Sequence, residues 1–140
     1  MRKPDEGNLG NAVLTPTPAS NLRLPGRYIN VVTTAALPWM TGTSINPLLR
    51  AAHLAKKGFA VNLVLPWVPP EQQEVIFPEG LRFEKPVQQE QYVRWWCENK
   101  GNIKVPNLKL LWYPATYRAF LGSVIQEYVD ITQVRLRHRP

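Results

Sequence analysis

The clearest pattern of hydrophobic and polar positions in the chain spans residues 28–59. Its first seven residues, YINVVTT, are uncharged and rich in β-branched side chains, as in a strand that is covered on both faces of a parallel sheet. Pro38 and Gly42 then break the pattern and predict a loop over residues 35–43. Apolar residues recur at helical spacing over residues 45–55, which predicts a helix with one stripe packed on the sheet.

Proline and glycine predict where this helix begins and ends. Pro47 fits the first turn, where a missing N–H costs nothing, and Asn46 or Ser44 is the predicted capping residue. Gly58 occupies the position at which a left-handed residue commonly stops a helix. The stretch therefore predicts the first strand–helix–strand unit of an open α/β domain.

Strand and helix patterns alternate along the rest of the chain. Residues 59–65, FAVNLVL, predict a second buried strand, which Pro66 ends because proline cannot donate to a ladder. Residues 88–100 predict a helix. Its predicted core-facing side carries Tyr92, Val93, Trp96 and Cys97. Residues 108–113 predict a third strand, and residues 115–128 predict a further helix.

This alternation predicts an α/β fold with an open parallel sheet and right-handed crossovers. In such sheets, ligands bind beyond the carboxyl ends of the strands. The loop over residues 35–43 follows the first strand and lies at that end. It is therefore the candidate binding loop.

Composition indicates one folded domain. A chain of 140 residues with 44% hydrophobic content can bury one core. Its 14 prolines cluster in the first 25 residues and in the loops. We expect residues 1–26 to be a flexible lead-in, residues 27–130 to be the domain, and residues 131–140 to be a basic irregular tail.

The net charge of +7 is spread over the chain rather than packed in blocks. It suits an anionic partner such as a lipid surface or a phosphate-bearing ligand, or it is an evenly solvated surface. Cys97 is the only cysteine, which excludes a disulfide framework and favours a reducing setting inside the cell. No apolar run approaches the ~20 residues of a spanning helix, and the N-terminus lacks the features of a secretory signal or transit peptide.

The candidate loop offers groups for binding. Gly42 allows close approach of the backbone, Thr41 and Thr43 carry hydroxyls, and the following helix N-terminus favours an anion. The loop thus either holds a diphosphate or a sugar hydroxyl, or is a plain structural turn, since TGTS is neither a Walker A loop nor a GxGxxG fingerprint. Trp39, which follows Pro38, either covers the core or stays exposed for stacking or lipid contact.

Other reactive side chains have simpler interpretations. His53 lies away from the apolar stripe of its helix and is more typical of a surface residue than of an acid or base. Cys97 falls on an apolar stripe and is predicted to be a buried small hydrophobe. Two pairs of glutamates are each separated by seven residues, namely Glu71 with Glu79 and Glu90 with Glu98. We interpret both spacings as chance.

The residues of the first unit and the segments after it carry a specific resemblance. VVTTAALPWMTGTSINPLLRAAHLAKKG, then VNLVLPWVPPEQQEVIFP and EQYVRWWCE, resembles the N-terminal part of digalactosyldiacylglycerol synthases, the galactolipid galactosyltransferases of plants and algae. The resemblance covers roughly residues 28–114. It implies a partial Rossmann-like domain, the first of two facing domains in a GT-B glycosyltransferase similar to glycosyltransferase family 4.

The resemblance also implies an activity. It implies transfer of galactose from UDP-galactose to monogalactosyldiacylglycerol with retention, without a cofactor, on the cytosolic face of the chloroplast outer envelope. The loop after the first strand then faces the cleft between the domains and helps to hold acceptor and donor. The implied binding residues are Pro38, Trp39, Met40, Thr41, Gly42 and Thr43.

The resemblance has limits along the chain. Similar enzymes keep their main donor-binding residues, including two glutamates separated by seven residues in a glycine-rich setting, in the C-terminal domain. The glutamate pairs of this chain lie in the other half, and the likeness fades after Tyr113. We therefore assign no catalytic residue, and we expect the chain to be inactive without a C-terminal nucleotide-sugar domain.

Two functional hypotheses remain open. In the first, the chain is a fragment of a galactolipid galactosyltransferase. In the second, it is a non-catalytic membrane-surface or scaffold module of the chloroplast envelope that uses Trp39, Trp95, Trp96 and its basic excess. Nucleic acid is not an expected partner, because the basic residues are dispersed and no RNP, KH or zinc motif is present.

Overall fold

The computed structural model of the chain describes residues 24–118 and 123–126. The strands of that part are β1 (Tyr28–Val32), β2 (Ala60–Trp67), β3 (Lys109–Arg118) and β4 (Ser123–Gln126). Its helices are α1 (Gly42–Lys56), α2 (Pro70–Ile76) and α3 (Pro86–Asn99). Most of the predicted lead-in, residues 1–26, and all of the predicted tail, residues 131–140, fall outside the described residues.

The four strands form one sheet in the order β1-β2-β3-β4. β1 pairs with β2 and β2 pairs with β3 in parallel, with Val31 opposite Leu63 and Leu63 opposite Leu110. β4 pairs with β3 in the antiparallel direction. The three parallel strands confirm the predicted α/β class and the open, partial Rossmann-like sheet.

The main core lies between the sheet and the two long helices. Alternate residues of the strands face this side, including Leu63 and Leu65 of β2 and Trp112 of β3. α1 contributes Leu48 and three buried alanines, and α3 contributes Val93 and Cys97. The predicted core side of α3 is thus confirmed, with Tyr92 and Trp96 half-buried against the same core. A smaller cluster of Val64, Val68, Tyr113 and Ala115 lies apart from it.

The end of α1 was predicted correctly, but its beginning was not. Gly58 has a φ of 95° and directly follows the last turn of the helix, as expected for a left-handed stop. α1 begins at Gly42 rather than after Ser44 or Asn46, so the predicted capping residues are wrong. Thr41 takes the extended N-cap conformation, and Pro47 lies inside the helix.

A contact from Thr33, the residue after β1, explains why the helix continues through Pro47. A proline inside a helix leaves the carbonyl four residues earlier without its N–H donor. That carbonyl belongs to Thr43, and the hydroxyl of Thr33 donates a hydrogen bond to it. The end of β1 therefore supplies the bond that Pro47 cannot make, and the helix gains an extra turn before the proline.

β2 continues past the residue at which it was predicted to end. Pro66 lies inside the strand and pairs with Tyr113 of β3. The Val64 carbonyl accepts a hydrogen bond of 3.1 Å from the N–H of Thr33, so residue 64 faces β1. Pro66, two residues on, has its nitrogen on the same side but beyond the end of β1. The missing N–H therefore breaks no ladder.

The predicted helix over residues 115–128 is wrong, because β3 extends to Arg118 and β4 follows at residues 123–126. Pro114 favours an extended residue before it. Ala115 is buried in the smaller cluster, where Tyr117 packs with it. The backbone N–H of Tyr117 also donates to the Gln72 side chain at 2.8 Å. These contacts hold the segment as a strand against its helical spacing of apolar residues.

Residues 70–76 form the short helix α2, which the sequence pattern did not predict. Gln73 of this helix is 0% exposed. Its side-chain nitrogen donates to the carbonyls of Val68 (3.0 Å) and Phe83 (2.9 Å), and its oxygen accepts from the N–H of Phe83 at 2.7 Å. This one side chain therefore ties together the connection between β2 and α3. No helix in the described residues is long and apolar enough to cross a membrane.

Candidate functional site

The candidate loop lies at the carboxyl end of the sheet, between the last residue of β1 and the first residue of α1. Thr33 continues from β1 with a backbone hydrogen bond to β2. Its side chain then reaches the first turn of α1. The Gln89 side chain of α3 donates to the Leu37 carbonyl at 2.8 Å. Hydrogen bonds from Thr33 and from Gln89 of α3 thus hold the two ends of the loop in place.

The six predicted site residues share this corner of the fold but differ in exposure. Pro38 is buried after a cis peptide bond, and Trp39 is half-buried. Met40 is 57% exposed. Thr41 is the N-cap of α1, and Gly42 and Thr43 are exposed residues of its first turn. The exposed members of the predicted set are therefore Met40, Gly42 and Thr43, with Thr41 half-buried between them.

The N-terminus of α1 carries backbone N–H groups that make no backbone hydrogen bond within the described residues. Within residues 24–118 and 123–126, the N–H groups of Gly42 and Thr43 make no backbone hydrogen bond, and Thr41 gives no side-chain cap. The first turn also has no acidic residue. Since helix N-termini carry partial positive charge, this exposed turn is suited to an anion.

Three hydroxyls surround this turn. The oxygens of Thr41 and Thr43 are 2.8 Å apart, and those of Thr41 and Ser44 are 3.2 Å apart. The Ser44 hydroxyl donates to the Trp39 carbonyl at 2.5 Å, which fixes the bend before the helix. The hydroxyls of Thr41 and Thr43 therefore bond to each other near the surface. A sugar hydroxyl or a phosphate oxygen can take the place of either partner in this hydrogen bond.

Tyr113 of β3 supports the site through a hydrogen bond to Thr33. Its hydroxyl donates to the carbonyl of Thr33 at 2.7 Å. Burial raises the pKa of Tyr113 to about 12. The hydroxyl therefore stays protonated at neutral pH and keeps donating to the residue that in turn holds Thr43.

An aromatic pair borders the loop. The ring of Trp39 meets the ring of Tyr117 edge to face, with centroids 6.1 Å apart. The contact gives partial support to the core interpretation of Trp39, which is packed on one side and open on the other. Sequence reasoning missed Tyr117, because it placed this residue in a helix. The alternation of Tyr113, Ala115 and Tyr117 was the available signal for a strand.

The other candidates lie away from the loop. His53 is exposed, eleven residues along α1 from Gly42, which is ~16 Å of helix. The two carboxylates of α3 pair with neighbouring cations, Glu90 with Arg94 at 3.1 Å and Glu98 with Lys104 at 3.8 Å. In the part of the chain that the structure describes, no group of His, Cys, Asp and Glu could hold a metal ion.

The chemistry of the loop is binding rather than proton transfer. Residues 33–44 contain no Asp, Glu, His, Cys, Lys or Arg. The loop offers backbone N–H groups, hydroxyls and an aromatic edge, which can hold an anionic or hydroxylated ligand at the carboxyl end of the sheet.

Comparison with known proteins gives the relationship. The chain is 46% identical over 92 residues to digalactosyldiacylglycerol synthase 1, chloroplastic, of Arabidopsis thaliana. The chain is homologous to digalactosyldiacylglycerol synthases. Identity is 41% over 100 residues to the synthase 1 of Glycine max, and 39% over 100 residues to synthase 2 of Arabidopsis thaliana. No protein-family model matches the chain.

The matched regions cover most of this chain and a small part of each relative. They span 65% of the chain for the first relative and 71% for the other two. The same regions span 11%, 13% and 21% of the three relatives. The similarity therefore concerns one segment of much longer proteins.

Proposed function

We propose that this chain forms one wall of the sugar-transfer site of a galactolipid galactosyltransferase. The reaction is transfer of galactose from UDP-galactose to monogalactosyldiacylglycerol with retention, at the cytosolic face of the chloroplast outer envelope. The relatives are named digalactosyldiacylglycerol synthases and chloroplastic, which supports this reaction class and location. The chain supplies one side of a GT-B cleft, where its loop helps to hold acceptor and donor, and a second, nucleotide-sugar domain supplies the other side.

The exposed N-terminus of α1 is the observation that carries the proposal. It has two N–H groups without described backbone acceptors and no acidic residue, and it opens at the carboxyl edge of a parallel sheet. In the proposed site, Gly42 and Thr43 bind the donor diphosphate through their N–H groups. Thr41, Met40 and the Pro38–Trp39 bend contact the sugar of the acceptor.

Gly42 gives a test that separates binding from folding. A Cβ at Gly42 would meet only the Asn46 side-chain nitrogen, at 3.6 Å, and the residue has no positive φ. Gly42→Ala should therefore leave the thermal midpoint unchanged, while its methyl group displaces a ligand that contacts the backbone. In the chain joined to a nucleotide-sugar domain, we expect transfer from labelled UDP-galactose to fall about tenfold, or ~1.4 kcal/mol.

The control for this assay is Glu79→Ala, which removes an exposed carboxylate of the rejected pair and should leave transfer unchanged. Full activity of Gly42→Ala would remove the first turn of α1 from the site. Absence of product from the joined unmodified protein would contradict the transferase function itself. We expect the 140-residue chain alone to give no product.

A second candidate function is a non-catalytic membrane-surface or scaffold module, favoured by the charge distribution. Residues 24–70 contain no Asp or Glu. Arg50 and His53 of α1 and Lys57, the residue after this helix, are exposed and recur at helical spacing. No described carboxylate pairs with Arg50 or Lys57. Trp95 of α3 is 49% exposed. The stripe of Arg50, His53 and Lys57 suits peripheral contact with an anionic membrane.

Vesicle flotation tests this second function. A cation near an anionic surface is worth about 1 kcal/mol, so Arg50→Gln should lower binding to anionic vesicles about fivefold. The matched control is Arg82→Gln, because Arg82 already pairs with Glu74 at 3.0 Å. Binding by the stripe must weaken as salt rises. Equal loss in both variants would assign the binding to net charge rather than to α1.

A further inference from the structure

A cavity of about 150 Å³ lies on the helix side of the sheet, away from the candidate loop. Its walls are α1, the second half of α3, the segment over residues 103–108 and the start of β3, and one side opens to the surface. Its interior is lined by Leu48, Val93, Cys97, Ile103, Val105, Leu108 and Leu110. No residue from 33 to 44 lines it, so the cavity is separate from the proposed sugar site.

The interior of the cavity is aliphatic. Six of the seven interior side chains are Leu, Val or Ile, and the seventh is the Cys97 thiol, whose pKa is raised by burial. An aliphatic cavity of about this volume accepts one benzene-sized ligand. The interior therefore has room for about six carbon atoms.

The rim of the cavity is charged. Arg94, Glu98 and Lys104 belong to its lining, and Lys104 and Glu98 are largely exposed. Arg94 holds one wall in place, because its guanidinium donates to the carbonyls of Val105 (3.4 Å) and Leu108 (2.6 Å). The Lys104–Glu98 pair spans 3.8 Å at the surface, where such pairs contribute little stability, so it can part to admit a ligand.

We propose that this cavity binds one alkyl chain, with the polar end of the ligand at the charged rim. An aliphatic interior fits a methylene chain, and a rim of exposed charges fits an amphiphile better than a wholly apolar molecule. The alkyl chain belongs either to a membrane lipid or to a soluble fatty acid. This binding goes beyond the proposed transferase function and does not depend on it.

Chain length is the first test, made on the unmodified 140-residue protein. Titration with butanoate, hexanoate, octanoate and decanoate is followed by the NMR shifts of the methyl groups that line the cavity. Each methylene buried should tighten binding about fourfold, and the gain should stop after about six carbons. Methyl shifts that stay unchanged with every acid would overturn the proposal.

Cys97 provides an independent readout because it is the only cysteine. Saturating decanoate should slow alkylation of its thiol, and vesicles of uncharged galactolipid should do the same if a membrane lipid supplies the chain. Protection by decanoate alone assigns the site to soluble fatty acids. Alkylation at the same rate with and without both additives would contradict alkyl binding.

Filling the cavity gives the matched pair of variants. Val105→Phe adds a ring where Val105 lines the interior, and Val87→Phe makes the same change at an exposed position of α3. We expect Val105→Phe to weaken decanoate binding at least tenfold and Val87→Phe to leave it unchanged. Equal binding by both would overturn the assignment, and the chain-length series decides the matter if Val105→Phe does not fold.

Discussion

Replacing Gln73 by leucine should lower the free energy of unfolding by about 3 kcal/mol. Leucine is comparable in size but cannot make hydrogen bonds, so the main loss comes from the bonds of the Gln73 side chain. The change leaves the N–H of Phe83 and the carbonyls of Val68 and Phe83 without the partners that the Gln73 side chain supplies. Buried groups left unpaired cost about 1–3 kcal/mol each, and such costs do not add fully.

Urea denaturation of the whole chain measures this loss. The matched control is Gln91→Leu on α3, where the glutamine is exposed and the expected change is within about 0.5 kcal/mol. Equal stability of Gln73→Leu and the unmodified protein would mean that the segment after β2 is not held by this side chain. The Gln73 bonds also fix the connection next to the carboxyl end of β2.

Gly101→Ala should destabilise the protein by about 2 kcal/mol. A Cβ at residue 101 would lie 2.7 Å from the Cys97 carbonyl oxygen and 3.2 Å from a methyl carbon of Leu49. The carbonyl cannot give way easily, because it belongs to α3 and accepts a hydrogen bond from Ile103 at 3.1 Å. Such overpacking typically costs about 1–3 kcal/mol.

Gly42→Ala is the control for this substitution, since it adds the same methyl group without a clash. Thermal unfolding of the two variants should therefore differ clearly. If both unfold at the same temperature as the unmodified protein, the close packing of Gly101 between α3 and α1 is incorrect.

Local signals were sufficient for the first unit of the fold. The position of β1, the apolar stripe of α1 and the stop at Gly58 depend on short stretches of sequence, and each was predicted correctly. The predicted cover on both faces of β1 is wrong, because Asn30 and Val32 on one face of the strand are exposed. Periodicity also identified α3 and its buried face. Each of these features is determined by residues that are close in sequence, and a pattern of hydrophobic and polar positions records such neighbours.

The errors arose where distant residues decide the structure. Pro66 stays in β2 only because β1 has already ended beside it, and α1 starts early because Thr33 bonds to Thr43. Tyr117 lies in a strand because Gln72 and the smaller cluster hold it there. Proline rules and helical spacing describe average surroundings, and tertiary contacts overrode them at these positions.

The candidate site was only partly predictable for the same reason. The hydroxyls of Thr41 and Thr43 and the small size of Gly42 were visible in the sequence, and the resemblance implied the same residues. The supporting residues were not visible, because Tyr113 of β3 joins the site through a hydrogen bond to Thr33, which is 80 residues away in sequence. Tyr117 reaches Trp39 through the unexpected extension of β3.

The strand order has a consequence for how the chain is made. β1, β2 and β3 are neighbours in the order of their synthesis, so none has to be inserted between two that are already paired. At roughly 5–20 residues per second, the ribosome needs about two to eight seconds for residues 68–108. β3 emerges after that interval and pairs with the edge of β2 that lies opposite β1, so its pairing displaces no earlier strand.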